Sequence, residues 1–171
     1  MGFLRGRSDE VAGSRYQMRE KLLSIGDDYW IEDEDGNHAF RVDGKALRIR
    51  QTFVLEDAQG NEVAKIQERK LSVRDKMAIV RGGDTAATVK KALVGIRDRF
   101  SIDVEGGGDM RAKGNFVDHE YEVERDGDLV ARVSKRWFRP RETYGVEIAR
   151  GEDDALLLAV TVCIDALSER G

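Results

Sequence analysis

The sequence predicts a mainly β protein, a closed antiparallel barrel of roughly twelve strands around one buried C-terminal α-helix. Three observations lead to this fold class. Glycine turns recur along the chain, and each lies between two short strand-like runs. Apolar and polar side chains alternate in several of these runs, as they do in half-buried strands. The last long segment is apolar on every side, and a helix of that kind has to be enclosed.

A repeated glycine turn predicts four β-hairpins. Each copy is a glycine, a polar residue and a short run that ends on a β-branched residue, over 36–42, 60–66, 83–89 and 127–133. The Asp35-Gly36 and Asp126-Gly127 pairs are strong hairpin signals because glycine accepts the positive φ that such turns require. Two further hairpins are expected, one across 106–109 and one near Gly145. An additional strand is expected over 16–23.

Alternation predicts which side chains face the interior. In the stretch 47–55 the odd positions are apolar except Gln51, so we expect Arg48, Arg50 and Thr52 to face water. Residues 100–104 show the same period. A period of two cannot place its apolar residues along one helical stripe, so both stretches are predicted to be strands.

The C-terminal segment predicts a helix that is buried all round. Asp153 and Asp154 stand where carboxylates cap a helix, and only Thr161 and Asp165 in the following run, 155–167, are not apolar. Such a run spans about 20 Å, well short of the roughly 30 Å hydrocarbon core of a bilayer. The enclosure is therefore expected to be protein. Closing the sheet around the helix also removes exposed strand edges.

Composition is consistent with one domain. A chain of 171 residues with 40% hydrophobic residues can build a single core without disulfides or a structural metal. We expect a flexible leader over 1–14 and one barrel domain over 15–171. A net charge of −4 argues against a dedicated nucleic-acid binder. The lone Cys163 and the lack of a signal-peptide pattern predict a cytoplasmic protein with no transmembrane segment.

Several sequence features in a fixed order carry a family resemblance. They are the strand opening 28–31, the turns 35–37 and 43–45, the pair 114–115, the runs 130–137 and 144–146, and the closing helix through Asp165. Over residues 15–168 the sequence resembles a bacterial member of the LURP-one-related family. The resemblance implies the tubby C-terminal fold, a barrel wrapped around a hydrophobic C-terminal helix. It also implies a distant similarity to phospholipid scramblases and to tubby, which binds phosphoinositides, and it brings no catalytic residue set.

The motifs that most often carry chemistry are better explained by structure. The acidic stretch 32–36 fails as a calcium-binding EF-hand loop because Ile31 and Val42 would occupy ligand positions. Gly106–Gly108 lacks the Gly-Lys-Ser/Thr of a phosphate-binding loop. His38 and His119 are expected at the surface, near strand starts, and Cys163 is expected to be buried and inert. We therefore expect no catalytic residues, no metal site and no cofactor.

One basic segment is the candidate ligand-binding site. Four cations surround Trp137, Phe138 and the only proline, and they are Lys135, Arg136, Arg139 and Arg141. Such a segment can present cations to anionic headgroups while the aromatic rings enter the membrane interface. The alternative interpretation places Trp137 in the core on the face of Ala131 and Val133, with the arginines merely solvated.

Asp165 is the second residue of interest. A carboxylate near the C-terminal end of an apolar helix opposes the helix dipole, so it needs compensation. We expect a nearby arginine or lysine, or a water-filled barrel mouth. Thr161 lies one turn earlier on the same side, and with Ser168 it would complete one wet side of the helix.

These features favour a non-enzymatic cytoplasmic binding module that acts peripherally at the membrane. Its expected ligand is an anionic phospholipid headgroup or a protein partner, not nucleic acid. Two alternatives stay open: a small-molecule carrier or enzyme with a cavity beside the central helix, and a purely structural or interaction protein. A pocket with convergent polar groups would favour the carrier, whereas a filled lumen would favour the interaction module.

Overall fold

Twelve β-strands follow one another around a closed barrel in chain order, and β1 pairs with β12 to close it. The architecture comes from a computed structural model that describes residues 13–19, 29–45, 52–69, 76–94, 97–136 and 143–168. Every neighbouring pair of strands is antiparallel. The strands are β1 (Ser14–Arg19), β2 (Tyr29–Asp33), β3 (His38–Lys45), β4 (Thr52–Asp57), β5 (Glu62–Arg69), β6 (Lys76–Arg81), β7 (Asp84–Val94), β8 (Arg97–Val104), β9 (Met110–Asn115), β10 (Glu120–Arg125), β11 (Asp128–Ser134) and β12 (Thr143–Ile148).

The predicted glycine hairpins are confirmed. The turns at Gly36, Gly60, Gly83 and Gly127 each join two paired strands, and so does the predicted turn over 106–109. Two of the turns are built in the same way, which explains the sequence repeat. The Asp33 carboxylate accepts the N–H groups of Asp35 and Asn37 at 2.9 Å, and Asp57 accepts those of Gln59 and Asn61 at the same distance.

Two expectations about strands are wrong. Gly145 is not near a hairpin turn but lies within β12, where it pairs with Gln17 of β1. Thr52 does not face water, since it is only 9% exposed and the first four residues of β4 are all buried. Alternation shows which side chains share a face of a strand, but it does not show whether the outer face is also covered. Residues 20–23 and 47–51, which belong to the predicted strands, lie outside the described residues.

The C-terminal helix is the plug of the barrel, as predicted. Helix α1 (Asp154–Ser168) begins at an Asp153 cap, whose carboxylate accepts the N–H of Leu156 at 3.1 Å. Residues 157–167 are all buried. The consecutive residues Leu157, Leu158, Ala159 and Val160 point to successive sides of the helix, and each is at most 2% exposed. In the described part of the chain, no helix is both long enough and apolar enough to cross a bilayer.

The helix does not pack equally against all sides of the wall. Its backbone comes nearest to β5, β6, β7 and β12. β5 and β7 present the small side chains Ala64 and Ala87 to the core, which lets the helix approach. On the side of β8 to β10, larger rings fill the space. Phe116 lies with its ring centroid 4.7 Å from that of Phe100 and 5.0 Å from that of Tyr121.

The barrel has two different ends. Six short connections, 34–37, 58–61, 82–83, 105–109, 126–127 and 149–153, gather at the end where α1 begins, which we call the turn end. The opposite end holds the C-terminus of α1 and the connection 116–119 between β9 and β10. We call it the His119 end. The other connections at the His119 end include residues outside the described ranges.

Truncating the plug should destabilise the whole barrel. Ile164→Ala removes buried methyl groups from a side chain that is 0% exposed, so we expect unfolding free energy to fall by about 2–5 kcal/mol. Val117→Ala, at a side chain 75% exposed, is the matched control and should change stability by less than about 0.5 kcal/mol. Urea denaturation followed by tryptophan fluorescence measures both. Equal effects of the two substitutions would contradict a buried plug.

Candidate functional site

The β9–β10 connection directs a histidine into the barrel. Asn115 and Asp118 close the turn, since the Asn115 side-chain amide donates to the Asp118 carboxylate at 2.7 Å and the Asp118 N–H donates back at 3.1 Å. His119 then adopts the left-handed conformation, with a φ of 53°. This reversal just before β10 leaves the His119 side chain only 7% exposed. The expected surface position of His119 is therefore wrong. His38 is exposed as expected, at the start of β3.

His119 joins a buried polar cluster with Tyr144 and Asp165. The imidazole stacks on the Tyr144 ring with centroids 4.3 Å apart, and its Nε2 lies 3.4 Å from Asp165 Oδ1. The Tyr144 hydroxyl donates to Asp165 Oδ2. Sequence analysis predicted an arginine, a lysine or a wet mouth beside Asp165. Among the described residues the structure supplies a phenol and an imidazole, at an aspartate that is 2% exposed.

The other polar groups of the helix are satisfied within it. The Thr161 hydroxyl donates to the Leu157 carbonyl at 2.9 Å, and the Ser168 hydroxyl donates to the Ile164 carbonyl at 2.6 Å. Thr161 is only 1% exposed and Ser168 is half-buried, so the expected wet side of the helix is closed to solvent at Thr161. Such back-bonding removes the need for water at these hydroxyls.

Burial keeps the remaining ionisable groups near the helix neutral. Burial raises the pKa of Tyr121 well above its usual value, and the nearby Asp165 charge adds to that effect. Burial likewise raises the pKa of the Cys163 thiol, so the thiolate form is suppressed. Cys163 is buried, as predicted, and burial of this kind makes a thiol a poor nucleophile.

A groove of about 890 Å³ runs along the wall beside this cluster. It lies on β9, β10 and β11 and reaches over the rim to Ser168 at the end of the helix. Gly114 keeps β9 and β10 close at this point. Its φ is 138°, and a Cβ there would lie 2.6 Å from the Glu120 carbonyl oxygen, so the position requires glycine.

The groove carries four cationic side chains, which fall into two kinds. Arg132 lies 3.3 Å from Glu122, and Lys113 lies 3.0 Å from Glu124, so both are held by ion pairs. The other two are Arg99 and Arg136. Within the described ranges, the guanidinium groups of both are without an ion-pair or hydrogen-bond partner. The groove therefore holds two cations that the protein itself does not neutralise.

Glu120 fixes the chain that carries Arg136. Its carboxylate accepts the Ser134 hydroxyl at 2.9 Å and the Lys135 N–H at 3.0 Å. The Arg136 N–H then donates to the Ser134 hydroxyl oxygen at 3.1 Å. These three bonds hold the segment after β11 against β10, beside the groove.

The structure describes only part of the candidate site predicted from the sequence. Lys135 is half-buried and Arg136 is exposed and lines the groove. Arg139 and Arg141 lie outside the described residues, as do Trp137, Phe138 and Pro140. Sequence reasoning missed Arg99, Lys113 and Arg132, because strand register brings them together. Of these three, only the position of Arg132 could be predicted from the sequence, because it lies opposite Glu122 in the predicted β10–β11 hairpin.

Charge is distributed unequally between the two ends of the barrel. At the turn end, each of the six connections has a carboxylate in it or beside it: Asp35, Asp57, Asp84, Glu105, Asp126 and Asp153. The arginines nearby are largely neutralised. Arg81 pairs with Asp153, and Arg125 pairs with Glu152 at 2.6 Å. The turn end is therefore acidic.

The His119 end is basic. Arg69, Lys76 and Lys90 form a row across three strands, since Lys76 is the register partner of both Arg69 and Lys90. Lys90 pairs with Asp103 at 2.6 Å, whereas Arg69 and Lys76 make no ion pair within the described part of the chain.

With the barrel, its plug and the site in place, comparison with known proteins shows the family. The profile of the LURP-one-related family matches residues 14–165. The chain belongs to the LURP-one-related family. The resemblance seen in the sequence is thereby confirmed, and the closed barrel around one C-terminal helix is the form that the fold takes in this family member.

Two individual proteins are similar to this family member. The Bacillus subtilis (strain 168) protein YxjI, an uncharacterized protein, is 24% identical over 148 residues, which cover 86% of this chain and 90% of YxjI. The X-ray structure of the Arabidopsis thaliana protein AT5G01750 matches with a TM-score of 0.66 and 20% identity, covering 94% of this chain and 95% of that one. The second likeness shows the fold alone.

Removing the Tyr144 hydroxyl should destabilise the barrel far more than removing that of Tyr121. Tyr144→Phe takes a hydrogen bond from a buried carboxylate, which costs about 1.5–3 kcal/mol. The Tyr121 hydroxyl is buried without a hydrogen bond of ordinary geometry in the described part, so Tyr121→Phe should be neutral or stabilising. Thermal or urea denaturation of both variants measures this. A larger loss in Tyr121→Phe would contradict the assigned cluster.

Proposed function

We propose that this protein is a non-enzymatic binding module whose His119 end docks on an anionic lipid surface. The observation that carries the proposal is the separation of charge along the barrel. A protein whose net charge is −4 has a basic end that faces away from an acidic one. An anionic bilayer would attract the basic end and repel the acidic end. The charge pattern would therefore both bind the barrel to the membrane and orient it there.

The row of Arg69, Lys76 and Lys90 is unfavourable for the fold. Like charges directly opposite each other on neighbouring strands destabilise a sheet. Asp103 neutralises Lys90, but Arg69 and Lys76 lie opposite each other with no ion pair in the described part of the chain, and this has a cost that a purely structural role does not explain. An anionic surface would remove this repulsion, because each headgroup supplies the negative charge that the row lacks.

The exposed apolar side chains favour a lipid surface over an apolar protein partner. Among the described residues, Trp30 and Val117 are the exposed large hydrophobic side chains. Trp30 lies in β2 and Val117 in the β9–β10 connection, so they do not form the contiguous patch of a stable protein interface. Val117, 75% exposed in the β9–β10 connection at the His119 end, is placed to enter the headgroup region beside the cations.

The filled interior supports binding over catalysis. Helix residues 157–167 are buried within the barrel, and the described groove reaches the helix at its last residue, Ser168. His119 and Asp165 contact each other under the rim, where the histidine is 7% exposed and the aspartate 2% exposed. A carrier or enzyme with a cavity beside the helix is the less supported alternative. The proposal includes a cytoplasmic protein that is peripheral at the membrane, with one barrel domain over 15–171.

Charge reversal at the His119 end should abolish vesicle binding. The measurement is co-sedimentation with phosphatidylcholine vesicles that contain or lack phosphatidylglycerol. Each basic residue near an anionic surface contributes about 1 kcal/mol, so the double variant Arg69→Glu with Lys76→Glu should bind roughly 30-fold more weakly, or worse. Added salt should weaken binding of the unchanged protein in the same direction, because it screens these interactions.

The matched control reverses two cations elsewhere on the barrel. Lys65 lies in the middle of β5 and the exposed Arg111 lies in β9 towards the turn end. The variant Lys65→Glu with Arg111→Glu has the same net charge as the first and should keep most of its binding. Equal loss in both variants, or equal recovery with and without phosphatidylglycerol, would refute the proposal.

A further inference from the structure

The groove on β9–β11 has the features of a built anion site. Arg99, in β8, and Arg136, after β11, line it from opposite sides, since two strands separate β8 from β11. At about 4.8 Å between neighbouring strands, β8 and β11 are about 14 Å apart across the wall. Arg136 lies four residues beyond Arg132, which the register places level with Arg99. A volume of about 890 Å³ is in the range of pockets that hold a small molecule.

The two arginines are the available charges of this groove. Lys113 and Arg132 are held by Glu124 and Glu122, and the Glu120 carboxylate already accepts two hydrogen bonds. The guanidinium groups of Arg99 and Arg136 have no partner in the described part of the chain. An arginine fork matches the oxygens of a phosphate and binds them with two parallel hydrogen bonds.

We propose that this groove binds a phosphate monoester, held between Arg99 and Arg136. A monoester carries about two negative charges near neutral pH, which balances the two guanidinium groups, whereas a phosphodiester carries one. The ionised side chains along the rest of the groove favour a polar body on the ligand, such as glycerol. The phosphate comes either from a free metabolite-sized molecule or from a lipid headgroup. The possibility that a lipid headgroup supplies the phosphate rests on the proposed function.

The experiment uses one soluble probe and one pair of vesicles. Titration with glycerol 3-phosphate, followed by NMR or calorimetry and compared with glycerol, measures the free monoester. Vesicles containing phosphatidic acid, a monoester, are compared with phosphatidylglycerol vesicles, a diester, at equal surface charge. We expect glycerol 3-phosphate to bind and glycerol not to bind. If the lipid is the source, phosphatidic acid should also be preferred.

Variants separate the groove from the basic row. Arg99→Gln with Arg136→Gln should weaken glycerol 3-phosphate binding at least about tenfold, since both charge-assisted contacts are lost. Arg111→Gln, a neighbouring exposed arginine outside the groove, is the control and should bind as the unchanged protein does. Arg99, Arg136 and Arg111 are all exposed, so both variants should keep the fold, and a denaturation curve checks this.

The outcomes distinguish this site from the proposed function. If the groove variant loses the monoester but keeps phosphatidylglycerol vesicles, both proposals are supported, because Arg69 and Lys76 then act separately. If glycerol 3-phosphate binds while no vesicle does, the groove is supported and the lipid surface is refuted. If glycerol 3-phosphate does not bind and phosphatidic acid vesicles are not preferred, the groove proposal is overturned, whether or not other vesicles bind. Equal loss in Arg111→Gln also overturns it.

Discussion

The structure depends on the need to enclose a helix that has no face suited to water. Residues 157–167 of α1 are buried all round, and a single sheet face could cover only one side of them. Closure of twelve strands supplies the missing cover and leaves no free strand edge. The chain achieves this by a simple meander, in which each strand pairs with the one before it and the last returns to the first.

The same enclosure decides where polar chemistry can lie. The helix brings Asp165 into the barrel, and Tyr144 and His119 supply polar contacts from the wall and from the β9–β10 connection. This cluster anchors the C-terminal part of the plug at the His119 end. With the lumen filled by the helix, charge that serves recognition has to lie on the rim and the outer face. That is where the groove and the row of cations lie.

The sequence predicted the architecture well and the site poorly, for physical reasons. Glycine turns and the apolar C-terminal run are local signals, so the hairpins and the plug were both predictable. The inward turn of His119 depends on a left-handed residue that sequence does not mark, and its partners come from β12 and α1. Arg99 and Arg136 are 37 positions apart in the chain and share a groove only through barrel register. A local search for basic clusters could find Arg136 but not Arg99.

Native-state hydrogen exchange of the α1 amides tests the enclosure most directly. A helix sealed inside a closed wall can exchange only when the wall opens, so amides in 157–167 should exchange with the free energy of global unfolding measured by denaturant. Amides of the exposed turn at Gly36 should exchange far more readily. Exchange of the helix amides at a free energy well below that of global unfolding would show that the plug leaves its wall independently, and it would contradict the account.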